Sequence, residues 1–145
     1  MMAYNGCMKG KRWLKAVCAC VLTVNMSACR TKQKETVNKQ VYDDGDVSAV
    51  LKSTALSYGQ VEMVFIFQNK TDETVIIAAQ NTFINGMPLT FSGSDAEIRA
   101  GKKYRQKWHA DADLCDVEKL DDLKNISLSL RCGNKQTDTI SINLS

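Results

Sequence analysis

The sequence predicts a mostly β fold: an antiparallel β-sandwich of about seven strands with one short helix, preceded by a signal peptide and a flexible linker. Three observations predict it. From Val47 onward apolar residues recur mostly with period two, the spacing of a half-buried strand. Turn residues interrupt this pattern about every 8–12 residues, as in sandwiches. The 145 residues, of which 44% are hydrophobic and 24% charged, suit one globular domain.

The first 28 residues have the parts of a signal peptide. Residues 9–15 contain four basic side chains and no acidic one. Residues 16–24 (AVCACVLTV) form a nine-residue apolar core, a length typical of the h-region of a secretory signal. Met26 then provides an apolar side chain, and Ser27 and Ala28 provide small ones, before Cys29. We therefore expect cleavage after Ala28.

Met26-Ser27-Ala28-Cys29 resembles the lipobox of bacterial lipoproteins, with Met where Leu is commoner. The resemblance implies that the Cys29 thiol is diacylglycerylated and that Cys29 becomes the first mature residue. Two acyl chains give stable membrane anchoring, whereas one gives only marginal binding. The expected location is the extracytoplasmic side of the cell membrane. The alternatives are an ordinary secretory signal with a coincidental cysteine, or a short buried helix.

The charge of the mature chain excludes one class of partner. The whole chain has a formal net charge of +3, but residues 1–28 hold four of the basic side chains. Without them, 15 basic and 16 acidic side chains remain, a net charge of −1. Nucleic-acid binding needs a concentrated positive face, and none is evident in the sequence. We therefore expect no nucleic-acid partner.

Residues 29–46 are predicted to form a flexible tether. The segment is polar and charged, and its only large apolar residues are Val37, Val41 and Tyr42. Such a composition buries too little surface to offset the entropy of ordering. As a random coil it would hold the domain about 20–25 Å from the membrane. The alternative is an edge strand that uses Val41 and Tyr42.

The domain is assigned to residues 47–145. Its first strands are predicted at Val47–Ser57, Val61–Phe67 and Thr74–Ala79. The apolar density of the second indicates a central strand. Asn85-Gly86 predicts a type I′ hairpin turn, and Pro88 places the strand that follows at a sheet edge.

The second half of the domain adds three strands and the helix. Residues 103–109 alternate as a strand, but neither face is cleanly polar or apolar, so its buried side stays open. Asp111–Leu123 is predicted as the short helix, with Leu114, Val117 and Leu120 at helical spacing. The last two strands are predicted at 126–131 and 140–145.

This strand count favours a sandwich of immunoglobulin-like type. The order of signals looks like the small immunoglobulin-like domains on lipoproteins of Gram-positive bacteria, over residues 47–145. The segments that carry the resemblance are Phe67-Gln68-Asn69-Lys70-Thr71, Asn85-Gly86, Ala100-Gly101-Lys102-Lys103, Leu114 with Leu120, and Ile126-Ser127-Leu128-Ser129-Leu130. The resemblance implies an accessory or binding role outside the membrane and supplies no catalytic residues.

Cys115 and Cys132 are the only cysteines after Cys29. In an exported protein they are candidates for a disulfide, which would close a loop of about 17 residues and contribute about 3 kcal/mol. The alternative is two free thiols, one of them in the core.

No constellation typical of catalysis or metal binding is evident. The sole histidine, His109, has Asp111 and Asp113 nearby in sequence, but these carboxylates suit helix capping better. The acidic turn Asp43–Asp46 lacks the glutamate that closes an EF-hand loop. We therefore expect no enzyme, no metal and no cofactor.

The function predicted from the sequence is a lipid-anchored, extracytoplasmic, non-catalytic binding or accessory domain that recognises a protein or an envelope component. Phe91, Tyr104 and Trp108 are expected in its core, although exposed aromatic groups can bind ligands by stacking. The alternatives are a small-ligand carrier, an envelope stress protein, or an inhibitor of an extracytoplasmic enzyme.

Overall fold

The computed structural model describes residues 32–144, so the expected signal peptide and Cys29 lie outside the described residues. The predicted antiparallel β-sandwich is confirmed, with immunoglobulin-like character. Its strands are β1 Gln33–Asp43, β2 Val47–Ser57, β3 Gln60–Asn69, β4 Val75–Ile84, β5 Met87–Pro88, β6 Ala96–Ile98, β7 Lys103–Asp111, β8 Asn125–Cys132, β9 Lys135–Gln136 and β10 Ile140–Asn143.

The strands form two antiparallel sheets. The first has the order β1-β2-β3-β7, and the second has the order β10-β8-β4-β5, with β6 paired to β4 and β9 paired to β8. In the part of the chain that the structure describes, seven strands have four or more residues, in agreement with the predicted number. Strand β3 is an interior strand of the first sheet, as its apolar density predicts.

The core lies between the sheets and is built by period-two alternation. In β3, Met63, Phe65 and Phe67 all point inward and are at most 1% exposed. Trp108 of β7 is 2% exposed, and its ring lies 5.4 Å from that of Phe65 and 5.6 Å from that of Phe67, centroid to centroid. Burial of each such side chain contributes about 2–3 kcal/mol.

The hairpin predicted at Asn85-Gly86 is confirmed. Asn85 has φ 51° and Gly86 has φ 79°, the two left-handed conformations that a type I′ turn requires. Pro88 lies in β5, at an edge of the second sheet. An edge position suits proline because it has no N–H to donate to a further strand.

The flexible tether predicted over residues 29–46 is wrong where the structure describes it. Gln33–Asp43 forms β1, which pairs along its length with β2, so the sheet begins well before Val47. The composition misleads because β1 is an edge strand whose side chains mostly face water. Its few apolar residues, Val37, Val41 and Tyr42, are half-buried against the core.

Strand β1 is also irregular. Its register against β2 shifts twice, between Thr36 and Lys39 and between Gln40 and Tyr42. Asn38 lies within the first shift and has φ 50°. These bulges bend the edge of the first sheet.

The helix predicted over Asp111–Leu123 is also wrong. The segment contains only two single turns of 3₁₀ helix, Asp113–Cys115 and Leu120–Asp122. Asp116 has a left-handed φ of 56° and Lys119 is extended, so no helix runs between the turns. Leu114 is exposed while Val117 and Leu120 are buried, so the three leucine and valine positions do not share one apolar face.

One end of the sandwich, here named the proximal end, gathers four parts of the chain. Gln33, at the start of β1, pairs with Leu56, and its side-chain oxygen accepts a hydrogen bond of 2.7 Å from the Leu120 amide. The Ala112 amide donates to the Gly59 carbonyl at 2.9 Å. The Asn85 side chain donates to the carbonyl of Asp122 at 2.7 Å. The proximal end therefore consists of the start of β1, the 57–60 turn, the 85–86 turn and residues 112–124.

Gly93 is required where the chain crosses Trp108. Its φ is +136°, and a Cβ atom there would lie 2.7 Å from Cδ1 of Trp108 and 2.8 Å from the Lys107 carbonyl oxygen. Both distances are shorter than van der Waals contact allows. Since Trp108 fills the centre of the core, it has little room to move.

We expect Gly93→Ala to destabilise the domain by about 3 kcal/mol, from steric overlap added to backbone strain. The matched control is Gly133→Ala, which also has a positive φ, 62°, but has no atom within 4 Å of the added Cβ. It should cost about 1 kcal/mol. Urea unfolding measures both, and equal losses would contradict the assigned contact with Trp108.

Candidate binding face

The face of the first sheet that points away from the core, here named the outer face, carries a row of positive side chains. In β7 the inward residues are Gln106, Trp108 and Ala110, all buried. Because strand side chains alternate, the other set points outward. That set contains the exposed residues Lys103, Arg105 and Lys107, followed by the half-buried His109. We name Lys103, Arg105 and Lys107 the cationic row.

The sequence alone did not indicate the row, because the two alternating sets of side chains in this strand give different signals. In KYRQKWH the inward set, Tyr104-Gln106-Trp108, mixes polar and aromatic residues and obscures the pattern. The opposite set is uniformly basic, so the signal was present at period two. This local strip of three basic side chains is not revealed by the net charge of the mature chain, and the absence of a nucleic-acid partner stays a prediction.

Beside the cationic row lies a strip of apolar and small residues. Arg105 pairs with Ile66 of β3, and Lys107 pairs with Val64. Val64 is buried although it stands outside the core cluster, and Ser53 of β2 lies opposite it in register. The outer face therefore combines a floor of small or apolar side chains with a charged rim.

At the proximal end of the row, Glu62 of β3 faces three nitrogen-bearing side chains. Its carboxylate lies 3.3 Å from Nζ of Lys32, 3.5 Å from Nζ of Lys107 and 3.5 Å from Nε2 of His109. The Glu62 side chain is only 14% exposed. Strand register brings the group together, since Glu62 pairs directly with His109.

Burial alone would raise the pKa of Glu62, but the hydrogen bond from Lys32 and the positive charges of Lys107, Lys32 and His109 outweigh it. The pKa of Glu62 therefore lies below its ordinary value. A carboxylate with a lowered pKa is a weak proton acceptor near neutral pH. Glu62 is therefore suited to act as a fixed negative charge that orients its basic neighbours. The partner of His109 is Glu62 and not Asp111 or Asp113, the carboxylates near it in sequence.

In the acidic turn between β1 and β2, the carboxylate of Asp44 accepts hydrogen bonds from other groups of the domain. Asp44 accepts hydrogen bonds from the amides of Asp46 and Val47 at 2.9 and 2.8 Å. It also accepts from the Tyr42 hydroxyl at 2.8 Å and from Lys135 at 3.3 Å. Burial opposes ionisation, yet these bonds hold the pKa of Asp44 well below its ordinary value. The carboxylate therefore shapes the turn.

The candidate disulfide is wrong in this structure: Cys115 and Cys132 are both free thiols. Cys115 is buried at the proximal end, where its thiol donates to the carbonyl of Asp111. Cys132 lies at the far end of β8, about 23 Å from that strand's start by strand geometry. A disulfide needs Cα atoms within about 7 Å. Burial raises the pKa of both thiols, that of Cys132 to about 11.

The three aromatic residues considered from the sequence separate into two groups. Phe91 and Trp108 are buried, as expected for core residues. Tyr104 is 41% exposed, because it lies opposite Phe67 near the end of the sheet, beyond the centre of the core. The expectation that all three belong to the core is therefore wrong for Tyr104.

Within residues 32–144, no helix has the length and apolarity to cross a membrane. The same residues contain no group of three or more His, Cys, Asp or Glu side chains placed to hold a metal ion. No protein-family model and no curated protein sequence matches the chain.

The lowered pKa of Glu62 predicts a pH-dependent contribution to stability. A depressed folded-state pKa stabilises the fold above the ordinary carboxyl pKa, and the contribution is lost as pH falls through the folded value. At pH 7 we expect Glu62→Gln to cost about 1 kcal/mol in urea unfolding. The difference between the two proteins should shrink as the pH falls through the folded-state pKa, because Glu62 then becomes neutral.

The control is Glu97→Gln in β6. Glu97 is exposed and has no ion-pair partner among the described residues, so its removal should leave the curve of stability against pH unchanged. A constant difference between Glu62→Gln and the parent protein from pH 7 to pH 2 would contradict the ionic role of Glu62.

Proposed function

We propose that this chain is a lipid-anchored, extracytoplasmic domain that binds an anionic protein or envelope component without catalysis. The lipobox resemblance at Met26–Cys29 supports the anchor. The outer face supports the binding role, and the cationic row is the observation that carries it.

Two of the three positive charges of the row are available to a ligand, since Lys107 is paired with Glu62. Lys103 and Arg105 are exposed and make no ion pair within residues 32–144. Successive outward side chains of a strand lie about 7 Å apart, so an extended anionic ligand along β7 meets one cation after another. Since the mature chain has a net charge of −1, attraction of anions depends on this local arrangement.

The small and apolar floor beside the row adds a second kind of contact. Ile66 is half-buried next to Arg105, so a ligand that neutralises Arg105 also covers apolar surface. Mixed contacts of this kind are typical of protein recognition sites, where electrostatics favours encounter and apolar burial slows dissociation. We therefore infer that the ligand bears carboxylate or phosphate groups on a partly apolar backbone.

A charge reversal tests the binding role. In the full chain, Lys103→Glu/Arg105→Glu should weaken binding to polyglutamate, used as a soluble anionic probe, by roughly tenfold or more. Binding by the parent protein should fall steeply with salt concentration because the contacts are exposed. Fluorescence anisotropy of labelled polyglutamate measures both effects.

The matched control is Arg99→Glu/Lys124→Glu, which changes the same number of charges at exposed positions outside the outer face. It should retain most of the affinity. Equal losses in the two double variants would show that net charge alone governs binding, and would remove the outer face as the site.

The anchor has its own test. Cys29→Ser should release the protein from the membrane fraction, because the acyl chains have no thiol to attach to. Intact-mass measurement of the membrane-extracted parent should show a chain that begins at an acylated Cys29. Retention of the variant at the parent's level would contradict lipid anchoring.

A further inference from the structure

We propose that the proximal end of the sandwich rests on the membrane surface, with Tyr58, Leu114 and Met87 in contact with the headgroup region of the bilayer. This inference rests on the proposed lipid anchor at Cys29. It adds to that anchor a second, non-covalent contact and a fixed orientation of the domain.

Three of the five large apolar side chains that are exposed in residues 32–144 lie at this end, and the other two, Ile76 and Tyr104, lie elsewhere. Tyr58 is 91% exposed, Leu114 is 62% exposed and Met87 is 46% exposed. Tyr58 belongs to the 57–60 turn and Leu114 to the first 3₁₀ turn, and these are joined by the hydrogen bond from Ala112 to Gly59. Met87 directly follows the 85–86 turn. Exposed apolar groups at one end of a domain are expected where that end meets a partner or a membrane.

The backbone of Tyr58 is explained by folding, but the choice of tyrosine is not. Tyr58 (φ 51°) and Gly59 (φ 73°) form the two-residue turn of type I′ between Ser57 and Gln60, and Asn or Gly adopts the first of these conformations more readily than a bulky residue does. The exposed side chain packs against almost nothing in the domain. A bulky, exposed side chain at a turn position that favours Asn or Gly points to a contact made outside the domain. Tyrosine is enriched at membrane–water interfaces, where its ring is half apolar and half polar.

The short chain between Cys29 and β1 indicates that the surface in contact with the proximal end is the membrane. Only residues 30–32 separate Cys29 from Gln33, so their Cα atoms are at most about 14 Å apart. Strand β1 then runs away from the proximal end for 11 residues. An acylated Cys29 therefore keeps the proximal end close to the bilayer, and a weak apolar contact suffices because the local lipid concentration is high.

The charged side chains around Leu114 indicate which lipid headgroups the proximal end prefers. Asp111, Asp113 and Asp116 flank Leu114 and are exposed, and residues 112–124 contain five carboxylates against two lysines, Lys119 and Lys124. The excess of carboxylates repels anionic headgroups within a Debye length. We therefore expect closer contact with zwitterionic lipid than with anionic lipid, the opposite of the preference of a basic membrane-binding surface.

The test uses the full, lipidated protein in phosphatidylcholine vesicles with bromine on the acyl chains near the headgroups. Tyr58→Trp places a fluorescent reporter at the proximal end. After subtraction of the emission of the buried Trp108, measured in the parent protein, bromine should quench about half of the remaining signal. The matched control is Tyr104→Trp, at an exposed aromatic position on the other side of the sandwich from the 57–60 turn. Its emission should be unchanged by bromine.

A second arm tests the lipid preference. Replacing part of the phosphatidylcholine with phosphatidylglycerol should reduce the quenching of Tyr58→Trp, and Asp113→Asn/Asp116→Asn should restore it. Quenching that rises with anionic lipid would overturn the charge argument. Equal quenching at positions 58 and 104, or none at either, would overturn the orientation.

Flotation of the same vesicles distinguishes failure of the proposed membrane contact from failure of the proposed lipid anchor. If the protein floats with the vesicles and Tyr58→Trp is not quenched, the anchor stands and the membrane contact is wrong; a basic protein that docks on this end would give that result. If the protein does not float, the lipid anchor itself is wrong. Urea unfolding of Tyr58→Trp confirms that the variant is folded.

Discussion

The burial of Trp108 against Phe65 and Phe67 is the contact on which the rest of the structure depends. It fixes the register of β7 on β3, and because side chains alternate along a strand, it also decides what the opposite face displays. A shift of one residue would bury Lys107 and expose the indole ring. The same packing that closes the core therefore places the cationic row outward and sets Glu62 beside His109.

The segment before β7 maintains this register from the other side. The Ser94 carbonyl accepts hydrogen bonds from the Gln106 side chain at 2.8 Å and from the Trp108 indole at 3.3 Å. Ser92 and His109 exchange backbone hydrogen bonds of 2.7 and 2.9 Å. The edge of β7 is thus partly covered, and its buried polar groups are satisfied. The ligand-binding surface that we propose is consequently built on a rigid strand.

The sequence predicted most of the fold because its signals are local. Alternation located β2, β3 and β8, and Asn85-Gly86 located a turn whose geometry only a few residue types adopt. β1 and the 112–124 connection were not predictable in the same way. A polar edge strand such as Gln33–Asp43 is ordered by hydrogen bonds to β2, which composition does not reveal. The spacing of Leu114 and Leu120 imitates a helix although the two side chains have opposite environments.

The candidate site was less predictable for the same physical reason. Glu62 and His109 lie 47 positions apart, and only the pairing of β3 with β7 brings them together. The separation of Cys115 from Cys132 likewise depends on the direction in which β8 runs. Basic residues at period two in β7 could have indicated the cationic row. The role of Tyr58 could not be predicted in this way, because its backbone angle is known only from the folded turn.

The two register shifts of β1 have a consequence for crowding. Proteins confined to a membrane plane meet one another far more often than they do in bulk solution, and a straight, unpaired strand edge invites sheets from neighbouring copies to join. The bends at Thr36–Lys39 and Gln40–Tyr42 interrupt the ladder of free backbone groups that such joining requires. For the membrane-anchored protein that we propose, the irregular edge would keep neighbouring copies separate.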